Sequence, residues 1–324
     1  MTTEPDRLAI PGYDEVWRLE CADALAFVSL HAVIQGRSFG GVRIREYASE
    51  NDALADALAL SRAMSRKVAL AGIAGGGGKS VLMVPRKDRA EAVKRLGEFV
   101  ESLGGRYFCG PDYGFTEADG AVMRGVTRFI AQEDLSDATA RGVEAAMRAA
   151  CEPRVVVVQG LGAVGMPLAE RLRASGVRVI ASDVRAFEGF ERVDPDDVYD
   201  LPCDVFAPCA IGGVLDSRTI PRLRCGVVCG AANNPLASED DAERLRLRGV
   251  TYVPDIIANV GATVQGASTA IGEFHLIEGR LAAIGQIVRD VLARASREAR
   301  SPHHVAVSLA DERIEALRKH GATR

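Results

Sequence analysis

No uninterrupted apolar run in this 324-residue sequence approaches the ~20 residues that a membrane-spanning helix needs, so no membrane partner is expected. There is no excess of positive charge either. A formal net charge of −4 gives no electrostatic case for nucleic acid or an anionic membrane surface. The seven cysteines are odd in number and none has CxxC spacing. Cys225 and Cys229 are four apart with no second pair to complete a zinc site, so no metal is expected. Buried thiols in a reducing compartment account for them best. Residues 1–7 are polar and lack the apolar segment of a signal peptide, which points to a cytoplasmic protein. Repeats and low-complexity segments are missing as well. What is there is ordinary for a globular protein, 48% hydrophobic and 26% charged, over a length that suits two domains.

The most informative stretch runs from Met64 to Ser80. It places Lys67 and Lys79 twelve residues apart, the second at the end of a four-glycine run. Glycines allow a positive φ and close approach of a ligand. A lysine held in such a tight loop, with little room for water, has a lowered pKa and can act as a base. Three readings compete. A phosphate-binding P-loop requires glycine at position 73, where the sequence has Ile73. A flexible glycine turn with a solvated lysine has no such conflict. A lysine-pair active site needs support from the rest of the chain.

The first third mixes strands and helices. Residues 25–33 and 41–47 read as strands, the second alternating apolar and polar residues as a half-exposed strand does. Ser49 with Asp52 resembles a capping box, and the helix that follows delivers Lys67. Val81 to Val84 is a short buried strand, and Arg89 to Leu103 an amphipathic helix stopped by Gly104 and Gly105. A strand then enters the turn Pro111-Asp112-Tyr113-Gly114, where Asp112 alone reads as a turn residue and gains weight only beside Lys79. Thr116 with Asp119 caps the next helix.

A helix from Thr139 to Ala150 leads into Val155–Val158, a β-branched run typical of a strand buried on both faces. Gly160-Leu161-Gly162-Ala163-Val164-Gly165 follows, then a helix and a second strand ending at Asp183. Strand, glycines, helix, strand and acid in this order form the dinucleotide-binding fingerprint. The glycines let a pyrophosphate approach a helix N-terminus. Asp183, 23 residues after Gly160, suits a ribose 2′-hydroxyl and favours NAD, while Arg185 leaves room for NADP. Further strands at 204–206, 226–229 and 250–253 place Asn233, Asn234 and Asn259 just beyond strand ends. A long helix around Leu276–Leu292 is broken at Ser301-Pro302, and Ser308 with Asp311 reads as the cap of a last helix. His303 and His304 read as surface residues.

Taken in order, these motifs resemble the glutamate/leucine/phenylalanine/valine dehydrogenases, most nearly the leucine and phenylalanine branch. The resemblance rests on the lysine pair, Pro111–Gly114, Thr139-Ala140-Arg141-Gly142, Ala207–Ala210, Gly230–Asn234 and Pro254–Gly261, and spans most of the chain. It implies an α/β protein of two domains. A substrate and dimerisation domain with a mixed sheet would occupy residues 1–135, and a Rossmann domain with a doubly wound sheet residues 136–299. A C-terminal helix, 300–324, would return to the first domain. It further implies reversible NAD-dependent deamination of an L-amino acid to its 2-oxo acid and ammonia. Lys67 would pair with the α-carboxylate. Lys79, its pKa lowered by burial and by Lys67, would be the base. Asp112 would exchange protons with the amine. Gly40, Gly41, Phe39, Gly110, Asn233, Thr263 and Gly266 would line the substrate. Thr139, Gly160, Gly162, Ala163, Val164, Gly165, Asp183, Val184, Cys209, Ala210, Ala232, Asn233 and Asn259 would hold NAD.

Phe39 stands where the glutamate branch would have a lysine, and Gly110 and Gly266 where branched-chain enzymes tend to have larger residues. The expectation is an apolar substrate, aromatic or unusual. Loops at 128–137 and after Asp183 are compressed, and the C-terminal end is short, which makes a homodimer the default. A biosynthetic reductive aminase of an unusual 2-oxo acid and a non-catalytic NAD-binding protein are the alternatives.

Overall fold

A computed structural model describes residues 4–131 and 133–321. The start of the polar N-terminus, Gln132 of the compressed loop and the last residues of the expected C-terminal segment lie outside them. The chain divides into two compact units: residues 1–133, 266–273 and 310–324, and residues 134–265 and 274–309. The sequence-based boundaries differ from these, having placed 266–273 with the second domain and the whole of 300–324 with the first.

In the first unit the strands are β1 (Asp6–Arg7), β2 (Glu15–Cys21), β3 (Ala24–Leu30), β4 (Ser38–Arg45), β5 (Gly76–Met83) and β6 (Tyr107–Phe108), and the helices α1 (Glu50–Leu70), α2 (Arg89–Ser102) and α3 (Glu117–Arg124). They form one mixed sheet in the order β1-β2-β3-β5-β4-β6. Strand β5 runs antiparallel to β3 and parallel to β4. One face carries the larger core, with Leu30, Val42, Ile44, Leu82, Leu96, Val100 and Tyr107. On the other face Phe27 and Val81 pack against Ala53 and Ala57 of α1. The helices begin as their sequences dictate. Ser49 accepts from the Asp52 N–H, and Thr116 and Asp119 form a full capping box.

The glycine run is not a loop. Gly76, Gly77 and Gly78 are the first three residues of β5, and none of the glycines 75–78 takes a positive φ. Their use is close approach. A Cβ at Gly77 would lie 2.0 Å from the Ser65 nitrogen of α1, one at Gly76 1.8 Å from the Ala32 oxygen, and one at Gly40 of β4 1.8 Å from the Gly78 oxygen. The Gly77 N–H donates to Ser65 Oγ at 2.9 Å, so the helix supplies an acceptor for the strand. Strand β4 differs from expectation too. Both its faces are covered, and Arg43 is largely buried, its side chain 16% exposed.

The second unit begins with α4 (Ser136–Ala150) and contains β7 (Val155–Gln159), α5 (Gly165–Ala174), β8 (Arg178–Ser182), β9 (Glu191–Arg192), β10 (Cys203–Pro208), β11 (Cys225–Val228), α6 (Asp240–Leu247), β12 (Thr251–Tyr252) and α7 (Asp255–Ala258). Its sheet is parallel throughout, in the order β12-β11-β10-β7-β8-β9. Two further helices follow α8 (Gly261–Ala270): α9 (Ile277–Glu298) and α10 (Pro302–Gly321). Helix α10 is continuous, so Ser308 caps nothing. Its hydroxyl donates back to the His304 oxygen within the helix, and Asp311 pairs with Arg66. The helix starts at Pro302, behind Ser301, whose Oγ accepts from the His304 N–H. His303 and His304 are half-buried, not surface residues, and His303 packs beside Tyr252. Beyond residue 310 the helix belongs to the first unit, where Arg313 donates to the Ala69 and Leu70 oxygens and Ile314 joins Ala32, Ile34 and Ala69. Among the described residues no helix is long and apolar enough to cross a membrane.

Candidate active site

Strand alternation brings the chemistry of the first unit to one face. Gly77 and Lys79 of β5 face α1, and Gly41 of β4 is the register partner of Lys79. Lys79 is buried and its Nζ lies 2.7 Å from Asp112 Oδ2. The turn carrying Asp112 is pinned to β4 by two backbone bonds, from the Val42 N–H to the Gly110 oxygen and from the Asp112 N–H to the Val42 oxygen. Gly41 keeps the space above the pair open. A Cβ there would stand 3.2 Å from both Lys79 Nζ and Asp112 Cβ. Burial lowers the Lys79 pKa, against Asp112, which raises it. Arg43 adds to the lowering. Burial pushes the Asp112 carboxyl up, but Lys79 and Arg43 outweigh it and hold it well below the usual carboxylate range.

Arg43 was not singled out from the sequence, nor were Asp56 and Tyr47. Arg43 Nε donates to Asp112 Oδ2 at 2.9 Å, and its Nη1 to Asp56 Oδ2 at 3.1 Å. The Tyr47 hydroxyl donates to the same Asp56 oxygen at 2.5 Å. The alternation of residues 41–47 was the available signal, but alternation does not distinguish water from a polar site as the thing the polar face meets.

The remaining expected substrate residues are spread differently. Lys67 is half-buried near the end of α1. Phe39 is buried, stacked on Phe108 with ring centroids 5.5 Å apart, and fills the space beside Gly75. A Cβ at Gly110 would meet only Ala131 Cβ at 3.5 Å and the Gly40 oxygen at 3.9 Å. Thr263 and Gly266 lie on α8, Thr263 in the second unit and Gly266 in the first.

In the second unit the three glycines of the fingerprint do three different jobs. Gly160 has φ +98° and a Cβ there would meet Ala210, at 2.7 Å from its Cβ. A Cβ at Gly165 would lie 1.9 Å from the Gly160 oxygen, so this glycine lets α5 pack onto the turn. At Gly162 nothing lies within 4 Å, the open approach a pyrophosphate needs. Asp183 at the end of β8 accepts from the Leu161 N–H at 2.7 Å and the Arg185 N–H at 2.8 Å. Burial raises its pKa, but these donors prevail and keep it lowered, an anion beside the turn. Arg185 folds back onto it, Nε 3.3 Å from Oδ1.

Asn259 donates to the Ala231 oxygen and to Asn233 Oδ1, which leaves its own buried Oδ1 without a partner in the structure. An orphaned acceptor in that position suits a ligand amide. Asn234 has φ +47° and its N–H donates to Asp255. Thr139 spends its hydroxyl on the Leu135 oxygen. Cys209 is half-buried, and desolvation pushes its thiol up to about 12. Ala163 and Val164 complete the turn, and Val184 is exposed beyond Asp183.

Comparisons with known proteins identify the family. The family model described as Glutamate/Leucine/Phenylalanine/Valine dehydrogenase matches residues 182–274, and that described as Glu/Leu/Phe/Val dehydrogenase, dimerisation domain, matches residues 20–151. The leucine dehydrogenase of Thermoactinomyces intermedius is 37% identical, over 92% of this chain and 89% of its own. The phenylalanine dehydrogenase of Caldalkalibacillus thermarum is 34% identical over 90% and 87%. Among solved structures, L-tryptophan dehydrogenase from Nostoc punctiforme superposes with a TM-score of 0.83 at 31% identity, covering 95% of this chain and 97% of its own. The chain belongs to the glutamate/leucine/phenylalanine/valine dehydrogenase family, as an NAD-dependent amino acid dehydrogenase.

Proposed function

We propose that the substrate is an apolar L-amino acid with a bulky, aromatic side chain, and that Lys67, Lys79 and Asp112 carry out its deamination. The observation that supports the residue roles most is Lys79, buried, with a lowered pKa and 2.7 Å from Asp112. Lys67 binds the substrate carboxylate as a point charge. Bound NAD supplies the hydride acceptor for the Cα hydrogen. Lys79, as the free amine, takes a proton from the water that attacks the iminium carbon. Asp112 takes a proton from the substrate ammonium before hydride transfer and returns it to the departing nitrogen as the carbinolamine collapses to 2-oxo acid and ammonia. The Gly160–Gly165 turn, Asp183 and Asn259 hold the cofactor.

The side-chain reading rests on Phe39, which offers no charge to a substrate carboxylate, and on the space at Gly110. NADH formation at 340 nm with a panel of L-amino acids tests it. The expected result is highest kcat/KM for phenylalanine or tryptophan, lower values for leucine and valine, and glutamate at least ~100-fold below, the order of discrimination a buried, unpaired charge gives. Glutamate turned over as well as the aromatic substrates would overturn the proposal.

Asp183 is proposed to select NAD. Replacing it with alanine removes a charged acceptor worth ~1.5–3 kcal/mol. The expected rise in KM for NAD is roughly 10- to 100-fold, with kcat little changed and NADP gaining relative to NAD. An unchanged cofactor preference would show that Asp183 serves only the turn. We further propose a cytoplasmic homodimer. The free thiols support a reducing compartment and the matched dimerisation domain supports association. Light scattering of the purified chain would decide the second point, with a monomer mass counting against it.

A further inference from the structure

Two charged side chains extend the lysine–aspartate pair into a chain of alternating charge, Lys79, Asp112, Arg43, Asp56, ended by the Tyr47 hydroxyl. Lys79 Nζ and Arg43 Nε share one oxygen, Asp112 Oδ2, at 2.7 and 2.9 Å. Arg43 comes from β4, Asp56 from α1 and Asp112 from the loop after β6, so two other elements converge on the guanidinium. We propose that Arg43, braced by Asp56 and Tyr47, is the permanent counterion of Asp112 and a positioning residue for Lys79, relieving the lysine of that duty so that it can work as a free amine. This rests on Lys79 being the base.

The argument is one of charge. A buried carboxylate needs a partner cation. If Lys79 were the sole partner of Asp112, losing its proton would leave that carboxylate uncompensated, and the lysine would stay charged. Arginine stays protonated at any working pH and its fork reaches two carboxylates at once. With Arg43 in place, Asp112 keeps a partner whichever form Lys79 takes. Asp56 works in the opposite sense on Lys79, because it neutralises part of the Arg43 charge. The directions agree with the burial and charge effects on Lys79, where Arg43 lowers and Asp56 raises. Other groups nearby do not substitute for Arg43. Tyr107, on the opposite face of the sheet against Gly78, donates to the Gly41 oxygen and keeps its proton. Tyr47 is likewise held protonated, by burial and Asp56. Ser29, the β3 register partner of Lys79, has no charge to offer.

The test compares Arg43→Gln, Arg43→Lys and Asp56→Asn in the full-length enzyme. It uses the pH profile of kcat/KM and, separately, trace acetylation of Lys79 by acetic anhydride across pH, read by peptide mass spectrometry. A neighbouring charge of this kind moves a protonation equilibrium at least ~10-fold. Arg43→Gln should therefore lower kcat/KM about 10-fold or more at neutral pH, with recovery at alkaline pH. Asp56→Asn should move the ascending limb the other way, and Arg43→Lys should restore it in part. Opposite shifts from two neighbours are not what loss of structure produces. If neither limb nor labelling moves in either variant, the proposal is wrong. If labelling moves but the activity profile does not, Arg43 acts as stated and it is Lys79 that is not the base. Should Arg43→Gln fail to fold, Asp56→Asn alone decides, since no shift or an upward shift contradicts the charge argument.

Discussion

Lys79→Ala should abolish most of the turnover while leaving a folded, NAD-binding protein. General acid–base groups contribute ~10²–10⁴-fold, and kcat is expected to fall by that order. Removal of a buried charge usually endangers the fold, because its partner is left unpaired. Here Asp112 retains Arg43 at 2.9 Å, so melting temperature should change little. The glycine turn and Asp183 belong to the other unit and should bind NAD as before. Small primary amines added to the variant should restore part of the rate, since the space vacated by the lysine side chain opens beside Asp112. The wild-type rate should climb with pH as Lys79 loses its proton, and the variant should lose that dependence. Turnover within a few-fold of wild type would remove Lys79 from the mechanism. Loss of NAD binding would instead mean that the substitution acts through the fold.

How much of this was legible in the sequence depends on the range over which each feature is encoded. The dinucleotide unit is local: Val155–Val158, Gly160, Gly162, Gly165 and Asp183 lie within one strand–turn–helix–strand unit, and each acts on its neighbours there. Ser49, Thr116 and Asp119 are also local, since a cap concerns one helical turn. The glycine strand is not. Glycine is disfavoured in strands on propensity, and only tertiary neighbours make Gly76–Gly78 the right residues for β5: the Ala32 backbone at Gly76, the α1 backbone at Gly77, and Tyr107 and Leu30 at Gly78. Ser308-x-x-Asp311 fits a cap pattern, but Ser301-Pro302 already begins the helix, and a helix that is under way does not need a second start. Arg43 and Asp56 are thirteen residues apart, and Arg43 and Asp112 sixty-nine, so no periodicity connects them. The lysine–aspartate pair was found through family resemblance, and its geometry is tertiary: β5 and the loop after β6 meet across β4.

Gly77→Ala should cost the enzyme its fold or nearly so, although it adds a single methyl group. The new Cβ would stand 2.0 Å from the Ser65 nitrogen, 2.5 Å from the Met64 carbonyl carbon and 2.6 Å from the Ser61 oxygen. All three are backbone atoms of α1, and a helix backbone has no rotamer to change. Ordinary carbon contacts need ~3.5–4.0 Å, so helix and strand must part by more than an ångström. Separation breaks the Gly77 N–H bond to Ser65 Oγ, and with it the 2.8 Å contact of that hydroxyl with His31 Nδ1. His31 gains nothing by ionising, since burial and then Arg318 hold its pKa down at about 4. Overpacking costs ~1–3 kcal/mol where side chains can adjust; against backbone the penalty should exceed that range, a large part of the ~5–15 kcal/mol that holds a typical protein together. The expected readout is a melting temperature lowered by more than 10 °C or insoluble protein, with Gly110→Ala, whose Cβ meets nothing nearer than 3.5 Å, as the tolerated control. The consequence for catalysis is direct. Gly77 and Lys79 share a face of β5, so the depth at which the lysine is buried is set by how closely that strand lies on α1. A Gly77→Ala enzyme that melted like wild type would show that the strand and helix have slack, and that the burial of Lys79 has another cause.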